Sequence, residues 1–581
     1  MDMSQSPRYV AWLALSFLCG ILTHHSLFRR VELDRYPLQV ASAFMALYFV
    51  LAKSLHSSPY GDSCYSASFA VIVTFISGLC LSTFVHRALF HPLKRFPGPF
   101  SARLSKFWAT FQTAKTRGQW YKFNRQLHAE YGDYIRIGPR DLSITDPDAI
   151  IPILGPSAKT SKGPFYGALE QSVHTTLDKE FHRQRRRVWD NGFKVRFSRA
   201  QTYAILLSAV QVALEGFAPR VEAITDDLLW VLARHGHSGT PVPFNEMAQR
   251  FSFDIMCALA FGEPAGYLTG KTTVDDESIF KSMCDSLDVI GLFVHTPWMI
   301  KTLETCSGLP GPMKRLRDWS AAKVERRKQM KDPQSDLMGH LMAHTRNDVA
   351  GRTLLNAESR LIIGAGSDTA AGALTIIFAY LATHQEHLSR LRAEVTPALA
   401  PGGAFTCLRP TLPFLDAIIN ECLRLHPPII WASSRVTGPS GLHIPRTTMS
   451  ADEAGQPGTT STTTSSTYIP PNTIVSIPPC GITRDPRNFV DPDAFRPERW
   501  TTEPHLIRRR EAFIPFLIGP YQCPGKGLAM MELRSAVART VARFDVVWMD
   551  EEGKDLAAWL DRIKDHFTMG LPALKLGFRE L

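Results

Sequence analysis

Three apolar runs near the start of the chain limit what this region can fold into. They span Tyr9–Leu27, Tyr36–Leu51 and Ala67–Phe84. Each run approaches the length of about 20 residues that a helix needs to cross a bilayer. No small-residue cleavage site follows the first run, which favours an uncleaved anchor over a removed signal peptide. We therefore expect residues 1–90 to form a membrane anchor with one to three transmembrane helices.

Basic residues are distributed unevenly around these runs. They cluster in the first connecting loop and after the third run, whereas the second loop holds one lysine: Arg29, Arg30 and Arg35; Arg87, Lys94 and Arg95; Lys53. The positive-inside rule then places the first loop and everything after the third run on the cytosolic side. Three spans with a lumenal N-terminus satisfy this bias. A single span at Ala67–Phe84, with the earlier runs on or in the membrane, is the alternative.

A proline-rich hinge at residues 91–99 separates the anchor from the rest of the chain. It reads Pro92-Leu-Lys-Arg-Phe-Pro97-Gly98-Pro99 at its end. Proline fixes the backbone φ angle and cannot continue a helix, so this segment is a stiff break. It would set the angle at which the globular domain meets the membrane.

Composition and charge limit the kinds of molecule that this chain is expected to bind. The 581 residues are 45% hydrophobic and 20% charged, which is ordinary for a globular protein, and the formal net charge is +11. A basic chain can bind nucleic acid, an anionic membrane surface or an acidic protein. Because it has no nucleic-acid module and no long basic arm, we expect membrane lipid and protein partners, and no nucleic acid. The ten cysteines show no paired or zinc-like spacing, which indicates reduced thiols in a cytosol-facing domain.

The region from residue 100 onward is patterned mainly as helices, with short strand-like pieces such as Tyr134–Ile137 and Leu142–Thr145. One stretch departs from this pattern. Residues 446–467 end in nine consecutive serine and threonine residues that begin at Thr459. Because such a composition cannot bury a core, we expect a disordered surface insertion there.

A single cysteine lies in a glycine-rich loop just before a helical run. The stretch reads Phe516-Leu-Ile-Gly519-Pro-Tyr-Gln-Cys523-Pro-Gly525. The two glycines allow a tight loop that aims backbone N–H groups at the sulfur, and the following helix adds its positive end. Both features would favour a thiolate, which is a good axial ligand for haem iron. A buried structural cysteine is the alternative.

Polar residues interrupt the long apolar helix predicted at Glu358–Leu381. The interruption is Ala365-Gly366-Ser-Asp368-Thr369. An acid and a hydroxyl are costly to bury in an apolar helix. The Thr369 hydroxyl can donate to the carbonyl of Ala365 or Gly366 and bend the helix, which would open a notch for a small ligand or water. A satisfied Asp–Thr pair at a helix crossing is the alternative.

Two further helices carry charged residues at helical spacing. Glu421 and Arg424 are neighbours at i,i+3 and can form a bidentate pair. Arg499, in a proline-fixed turn, supplies a second arginine. His182 and Arg186 share a face at i,i+4 and could grip a dianionic ligand, or form part of a solvated basic face.

Taken in order, these motifs resemble those of a cytochrome P450, from Pro97 to the C-terminus. The resemblance implies a mainly α fold with small β-sheets, the cytochrome P450 (haem-thiolate) fold, at residues 100–581 behind the transmembrane region. It implies haem b (iron protoporphyrin IX), with Cys523 as the axial ligand of the iron. Asp368 and Thr369 would be catalytic and would relay protons to dioxygen. Glu421, Arg424 and Arg499 would be structural.

The resemblance also assigns the residues that hold the cofactor. They are His182, Arg186 and Arg435, which match propionate-binding positions, and Phe516, Gly519 and Gly525, which shape the cysteine loop. One position departs from the family pattern: Tyr521 stands where a basic propionate ligand is usual. Substrate-lining positions, placed by the same resemblance, are Phe165, Tyr166, Ile362, Ile363, Ile429–Ser433 and His566–Thr568.

The implied function is a monooxygenase that inserts one oxygen atom from O2 into an apolar small molecule. The anchor, the hinge and the residues before Cys523 look like those of fungal microsomal members, many of which tailor terpenoid, alkaloid or other secondary metabolites. Electrons would come from an NADPH-cytochrome P450 reductase, docked near Lys526 and Arg508–Arg510. The location would be the endoplasmic reticulum membrane, with the catalytic domain facing the cytosol.

Two alternatives keep some of these features. A haem-thiolate isomerase or dehydratase would act on a peroxide, but such enzymes tend to lack the acid–threonine pair at Asp368 and Thr369. A non-catalytic haem-binding membrane sensor would use the same motifs without turnover.

Overall fold

The computed structural model describes most of the chain. The described residues are 7–29, 36–56, 64–193, 216–272, 274–306, 311–330, 336–399, 412–431, 433–451, 457–549 and 555–581. Arg30 and Arg35, which contribute to the predicted orientation of the anchor, lie outside them, as does Ala432.

Helices account for most of the described residues. In chain order they are α1 (Pro7–Thr23), α2 (Pro37–His56), α3 (Cys64–Val85), α4 (Phe100–Leu104), α5 (Phe107–Lys115), α6 (Trp120–Tyr131), α7 (Ile150–Leu154), α8 (Lys179–Gly192), α9 (Ala218–Ser238), α10 (Phe244–Phe261), α11 (Val274–Phe293), α12 (Trp298–Cys306), α13 (Pro312–Lys328), α14 (Leu337–Ala343), α15 (Val349–Thr383), α16 (Gln385–Val395), α17 (Pro413–Leu425), α18 (Pro479–Thr483), α19 (Lys526–Arg543) and α20 (Leu556–Asp561).

The strands are short and form small sheets. They are β1 (Tyr134–Arg136), β2 (Asp141–Ile144), β3 (Ser161–Lys162), β4 (Val242–Pro243), β5 (Arg435–Val436), β6 (Leu442–Ala451), β7 (Pro457–Ile469), β8 (Ile474–Ser476), β9 (Phe544–Trp548), β10 (Lys564–His566), β11 (Thr568–Gly570) and β12 (Lys575–Glu580). One sheet has the order β1-β2-β8-β5-β3 and another β4-β12-β9, while β10-β11 and β6-β7 form two-stranded pairs. The predicted mainly α fold with small β-sheets is confirmed.

The three N-terminal helices are long and apolar enough to cross a membrane. The candidate spans are Tyr9–Phe28, Pro37–His56 and Cys64–Phe90. Helices α1 and α3 cross where Gly20 and Gly78 face the partner's backbone, because a Cβ atom at either glycine would overlap a carbonyl oxygen of the other helix. The Ser16 hydroxyl donates to Val71 O across the same contact, at 2.7 Å. Small residues that let backbones approach are typical of helix packing in membranes.

The hinge is joined to the first strand of the globular region. The N–H of Arg136 in β1 donates to Pro97 O at 2.7 Å. Gly98 has φ 141°, and a Cβ there would lie 2.5 Å from Arg136 O. The buried Arg136 guanidinium also donates to Arg87 O, at the end of the anchor, at 3.1 Å. These hydrogen bonds and the close backbone approach hold the N-terminal helices and the hinge against the globular region.

The segment 446–467 is the one that the sequence predicts to be a disordered surface insertion. Its described residues lie in β6 and β7, which pair antiparallel with His443 opposite Tyr468 and Met449 opposite Ser461. The prediction considered only that serine and threonine cannot bury a core. Threonine is β-branched and favours strands, and a two-stranded ladder supplies partners for the backbone groups. Arg95 in the hinge donates a hydrogen bond to Tyr468 O, which connects strand β7 to the hinge.

Helix α15 forms the centre of the main core. From Ala370 to Ala382 it is buried on all sides, against α10, α13 and α19 among others. It is also apolar enough to be a candidate span, but 72% of its apolar window is buried inside the protein. A helix that is hydrophobic all round and covered by protein is a core helix. It carries Asp368 into the interior, with the half-buried Thr369 next to it.

Candidate active site

The cysteine loop is closed by its own backbone. The N–H of Cys523 donates to Phe516 O at 2.9 Å, and the N–H of Gln522 donates to Gly519 O at 3.1 Å. Gly519 has φ 72°, and a Cβ there would overlap the carbonyl oxygen of Leu154. Gly525 has φ −84°, which any residue adopts, and a Cβ there would lie 3.9 Å from Cys523 Sγ. Gly519 is therefore required for the turn, whereas Gly525 leaves space beside the sulfur.

The Cys523 thiol is accessible although the surrounding protein excludes much of the bulk water. The backbone N–H groups of Gly525 and Lys526 donate to the sulfur, as the sequence predicts, and Arg186 adds positive charge. Burial nevertheless raises the pKa of the Cys523 thiol above its ordinary value, against these contributions. The expected preference for a thiolate is therefore not produced by the loop alone. A bound metal ion deprotonates a coordinating thiol outright.

The polar interruption of α15 lies beside open space. Ala365 is exposed although Ile363, Ser367 and Asp368 around it are buried. The Thr369 hydroxyl donates to Ala365 O at 2.7 Å, which is the hydrogen bond predicted from the sequence. The helix remains α-helical through this bond, from Val349 to Thr383. The space next to Ala365 can admit a small ligand without a break in the helix.

Asp368 is a buried acid with spare hydrogen-bonding capacity. Side chains of Thr568 in β11 and Gln249 in α10 hydrogen-bond its carboxyl group, and its Oδ2 has no partner among the described residues. Burial raises the pKa of Asp368 to about 6, although both hydrogen bonds lower it. A carboxyl group with such a pKa can take up and release a proton near neutral pH. Sequence reasoning missed Gln249, because nothing in α10 marks it as a partner of a residue in another helix.

A cluster of buried cations surrounds Tyr521. Lys162 Nζ lies 5.0 Å and Arg435 Cζ 4.8 Å from the centre of the Tyr521 ring. The two cations are direct neighbours, because β3 and β5 pair Lys162 with Arg435. The His182 ring lies 4.7 Å from the Tyr521 ring, and all three basic residues are buried.

Among the described residues, no acid forms a salt bridge with Lys162, His182 or Arg435. Burial, then Arg435 and Arg186, lower the pKa of Lys162 to about 7. Burial, then Lys162, lower the pKa of His182 to about 4. The Nε of Arg435 has no hydrogen-bond partner among the described residues. Buried charges are normally paired, so this cluster fits an anionic partner from outside the chain.

Lys162 is absent from the sequence-based site because a lone lysine in a two-residue strand carries no local signal. Its role depends on the pairing of β3 with β5, which lies far along the chain. Arg186 differs from the expectation in another way. It donates to Gln522 O and pairs with Asp190 at 2.8 Å, so it connects α8 to the cysteine loop.

The basic run in α8 has two faces. Arg183 and Arg187 are exposed, as the solvated alternative predicts. Arg185 is buried and pairs with Glu358 of α15 at 2.5 Å, while Trp189 Nε1 donates to the same carboxylate at 3.0 Å. The buried pair holds α8 beside α15. The sequence could not distinguish Arg185 from its neighbours, because the distinction depends on where Glu358 lies.

Glu421 is the centre of a fully buried network. Its carboxylate accepts five hydrogen bonds, four from side chains and one from a backbone N–H: Arg424 Nη2 at 2.7 Å and Nε at 2.9 Å, Arg499 Nε at 3.0 Å, Trp500 Nε1 at 2.9 Å and Arg496 N at 2.9 Å. Removing one partner of a buried pair costs about 3–5 kcal/mol. The predicted set of Glu421, Arg424 and Arg499 is brought together in the structure, where it joins α17 to the turn at Pro497–Trp500.

Three predicted lining segments also converge. The Phe165 and Phe567 rings stack at 5.3 Å, and the Trp431 ring lies 5.0 Å from Phe165 and 5.6 Å from Phe567. Ile362 and Ile363 are buried in α15. An aromatic wall of this kind suits an apolar ligand.

Three separate observations indicate that the residues present fit a haem. An accessible thiol is held in a preorganised loop, an unbalanced group of buried cations lies beside that loop, and a buried acid has a free oxygen. These match the needs of the iron, the propionate groups and the oxygen-binding side, respectively. Tyr521 is accommodated because its ring faces Lys162 and Arg435, which supply the positive charge that a basic residue at this position would otherwise provide.

Comparisons with known proteins agree with this site. The family model described as Cytochrome P450 matches residues 97–453 and 456–559. Tryprostatin B 6-hydroxylase of Aspergillus fumigatus is 32% identical over 585 residues, covering 98% of this chain and 96% of that protein. Cytochrome P450 monooxygenase notG' of Aspergillus versicolor is 31% identical, covering 98% of each chain. Cytochrome P450 monooxygenase phqL of Penicillium fellutanum is 31% identical, covering 100% of this chain and 97% of that protein.

Proposed function

Because this chain belongs to the cytochrome P450 family, it is a monooxygenase that binds haem b, and we propose that it oxidises an apolar fungal secondary metabolite of terpenoid or alkaloid type. The reaction would insert one oxygen atom from O2 into that compound. A hydroxylase and two monooxygenases among the relatives support the reaction class.

The observation that carries the proposal is the Cys523 loop. Its accessible sulfur is held by backbone N–H donors, which supports Cys523 as the residue that would hold the haem iron as a thiolate. Lys162, His182 and Arg435 would bind the propionate groups. Haem supplies the activation of O2 and the transfer of oxygen when it is bound.

The proton path would use the interruption of α15. Asp368 can exchange a proton near neutral pH through its free Oδ2, and Thr568 and Gln249 hold the carboxyl in place. The Thr369 hydroxyl, oriented by Ala365 O, would pass the proton on. The aromatic wall of Phe165, Trp431 and Phe567 would exclude water and orient the substrate.

The proposal also includes the redox partner and the cellular location of the protein. Lys526 is exposed next to the cysteine loop and supports docking of an acidic NADPH-cytochrome P450 reductase. The apolar N-terminal helices associate the protein with a membrane. The basic residues at Arg29 and Arg87 support a cytosolic catalytic domain at the endoplasmic reticulum.

The proposed alternatives are less well supported. A haem-thiolate isomerase or dehydratase does not need the acid and hydroxyl that α15 places in the interior. A sensor without turnover would be an exception among relatives that are named as enzymes.

The carbon monoxide spectrum of the reduced protein tests the ligand. We expect the long-wavelength thiolate band in the wild type and in Cys80→Ala, which removes an exposed cysteine of α3. Cys523→Ala should lose the band, because no other thiol is placed to replace it in the cysteine loop. A band that persists in Cys523→Ala would disprove the assignment. Label from ¹⁸O2 in a product formed with co-expressed reductase would establish the oxygen insertion.

A further inference from the structure

The hairpin of β10 and β11 turns at a strained residue. The strands pair His566 with Thr568, which leaves Phe567 as the connecting residue, and we call residues 566–568 the hairpin tip. Phe567 has φ 78°. This left-handed region is unfavourable for a residue with a bulky side chain, and such a conformation persists only where the surrounding structure holds it. The tip therefore depends on contacts that fix it.

Hydrogen bonds of the backbone hold the two strands behind the tip. Asp565 Oδ1 accepts a hydrogen bond from the N–H of Phe567 at 3.1 Å. The N–H of Asp565 donates to Gly118 O at 2.5 Å, and the N–H of Met569 donates to Pro428 O at 3.0 Å. These bonds attach each strand to the globular region, but they leave the side chain of His566 to be held by other contacts.

Helix α11 supplies those contacts. Its Gly291 lies so close to β10 that a Cβ there would lie 2.5 Å from His566 Cα. Asp288, on the preceding turn of the helix, places its Oδ1 at 2.7 Å from His566 Nδ1. A Cβ at Gly570 of β11 would lie 2.6 Å from Cε1 of the same ring. The imidazole ring is thus confined by α11 and by β11.

The bond between Asp288 and His566 does not require a charged imidazole. Burial lowers the pKa of His566, although Asp288 raises it. A neutral ring that carries its proton on Nδ1 still donates to the carboxylate. The contact therefore joins α11 to the hairpin tip in either protonation state.

The same face of α11 borders the interior near the buried acid. Cys284 and Asp288 share this face, because they are spaced i,i+4. Burial and then the charge of Asp368 raise the pKa of the Cys284 thiol to about 11, which indicates that Cys284 lies near Asp368. From the other element, Thr568 of the hairpin tip hydrogen-bonds the Asp368 carboxyl group. Helix α11 and the hairpin therefore approach the same region, and the pair of Asp288 and His566 connects them.

We propose that Asp288 and His566 are positioning residues, which hold the strained hairpin tip so that Phe567 completes the aromatic wall. This inference rests on the proposed function, in which the wall orients an apolar substrate. The Phe567 ring is in place at 5.3 Å from Phe165 and 5.6 Å from Trp431. Without the contact to α11, the tip can relax its backbone and withdraw the ring from the other two.

The test compares imidazole with 4-phenylimidazole on the haem-loaded full chain in detergent. Both compounds bind ferric haem iron through nitrogen and shift its absorption band, but only the second carries an aromatic ring that can contact the wall. We expect 4-phenylimidazole to bind the wild type at least about tenfold more tightly, because its phenyl ring is removed from water. The ratio of the two dissociation constants reports the wall, since a general loss of haem or fold affects both compounds. Phe567→Ala should lower the ratio by about threefold or more.

Variants of α11 then test the positioning role. Asp288→Ala should lower the ratio by about 2–5-fold, the modest effect of a pair whose aspartate side chain is 62% exposed. Asp288→Asn should retain most of the ratio, because its amide oxygen still accepts from Nδ1. Gly291→Ala tests the same contact independently and should also lower the ratio, since its Cβ displaces β10. Lys281→Ala, at an exposed position of α11, is the matched control and should leave the ratio unchanged.

A double variant distinguishes positioning from a separate contribution to binding. In the Phe567→Ala background, Asp288→Ala should have no further effect on the ratio, because the carboxylate acts through the Phe567 ring. Three outcomes would overturn the proposal: a ratio that Phe567→Ala leaves unchanged, a ratio that Asp288→Ala leaves unchanged, or an equal further loss in the double variant. None of these measurements requires reductase or turnover, so their failure is distinguishable from failure of the proposed monooxygenase function.

Discussion

Two buried carboxyl groups have raised pKa values, but their surroundings differ. Burial raises the pKa of Asp368 to about 6 and that of Glu532 to about 8. The two residues differ in their neighbours. Asp368 lies beside Thr369 at the accessible part of α15, whereas Glu532 in α19 is enclosed and accepts a hydrogen bond from Ser252. We propose the first group for proton transfer, and we expect the second to affect stability.

Replacing Thr369 with alanine should separate haem binding from productive turnover. We expect Thr369→Ala to retain haem, because the residue is not part of the cysteine loop or the cation cluster. Loss of the hydroxyl should slow proton delivery by about 10²–10⁴-fold and divert electrons to hydrogen peroxide. The measurement is the ratio of peroxide released to NADPH consumed. Thr369→Ser, which keeps a hydroxyl, is the control, and an unchanged ratio in Thr369→Ala would remove Thr369 from the path.

Glu532 should make stability fall as pH rises. Its pKa is about 8 in the folded protein against an ordinary value of 4.5, so unfolding releases a proton between these pH values. The unfolded state then binds fewer protons, and the free energy of unfolding decreases from about pH 4.5 to pH 8, by a few kcal/mol in all. We expect Glu532→Gln to flatten this dependence, measured by thermal unfolding at pH 5.5 and 8. The exposed Glu325→Gln should keep the wild-type slope; equal slopes for both variants would contradict the assignment.

Among the elements, the cysteine loop shows how the two predicted glycines differ. Gly519 adopts a left-handed φ of 72° against the carbonyl of Leu154, whereas Gly525 has an unstrained backbone. The sequence motif alone does not distinguish the two glycines. Only the approach of α7 to the loop distinguishes them.

Gly519→Ala should therefore impair the loop more than Gly525→Ala. An alanine at 519 combines an unfavourable φ with an overlap against Leu154 O, so we expect a loss of about 1–3 kcal/mol and reduced haem content. Gly525→Ala makes contacts of 3.9 Å and should fold with haem bound. Haem absorbance per protein measures both variants. Higher haem content in Gly519→Ala than in Gly525→Ala would contradict the steric account.

The sequence predicted those elements whose signals are local. The apolar length of α15, the i,i+3 pair of Glu421 and Arg424 and the glycine before Cys523 are visible in short windows. Lys162 and Arg185 could not be found, because their roles depend on partners far along the chain, Arg435 and Glu358 respectively. The pairing of β6 with β7 is not visible in the composition, because composition reports core-forming capacity and not strand propensity.

At the scale of the molecule, the anchor and the body form a continuous unit. Helix α3 packs on α1 through Gly20 and Gly78, and Arg87, just after α3, accepts a hydrogen bond from Arg136 of the first strand. The position of the globular region relative to the N-terminal helices is thus set by backbone contacts and hydrogen bonds, in addition to the hinge prolines.

Gly78→Leu should separate α1 from α3. The new side chain would occupy the space of the Phe17 carbonyl, so the close crossing cannot form. After cleavage between α1 and α2, within residues 30–35, we expect the fragment with α1 to copurify with the rest of the chain in the wild type and to be lost in Gly78→Leu. Val73→Leu changes an exposed position of α3 and serves as the control. Copurification that persists in Gly78→Leu would show that the crossing does not hold the helices together.

The burial of α15 has a consequence for biosynthesis. This helix has the length and hydropathy of a membrane span, yet its native partners include α16, α17 and α19, which are synthesised after it. If it entered the bilayer as it left the ribosome, every later residue, including Cys523, would be delivered to the opposite compartment. An aspartate at the centre of a span raises the cost of insertion by about 2.5–3.5 kcal/mol. Asp368, placed within the apolar part of α15, therefore helps to keep the helix out of the translocon's lateral exit until the body has folded around it.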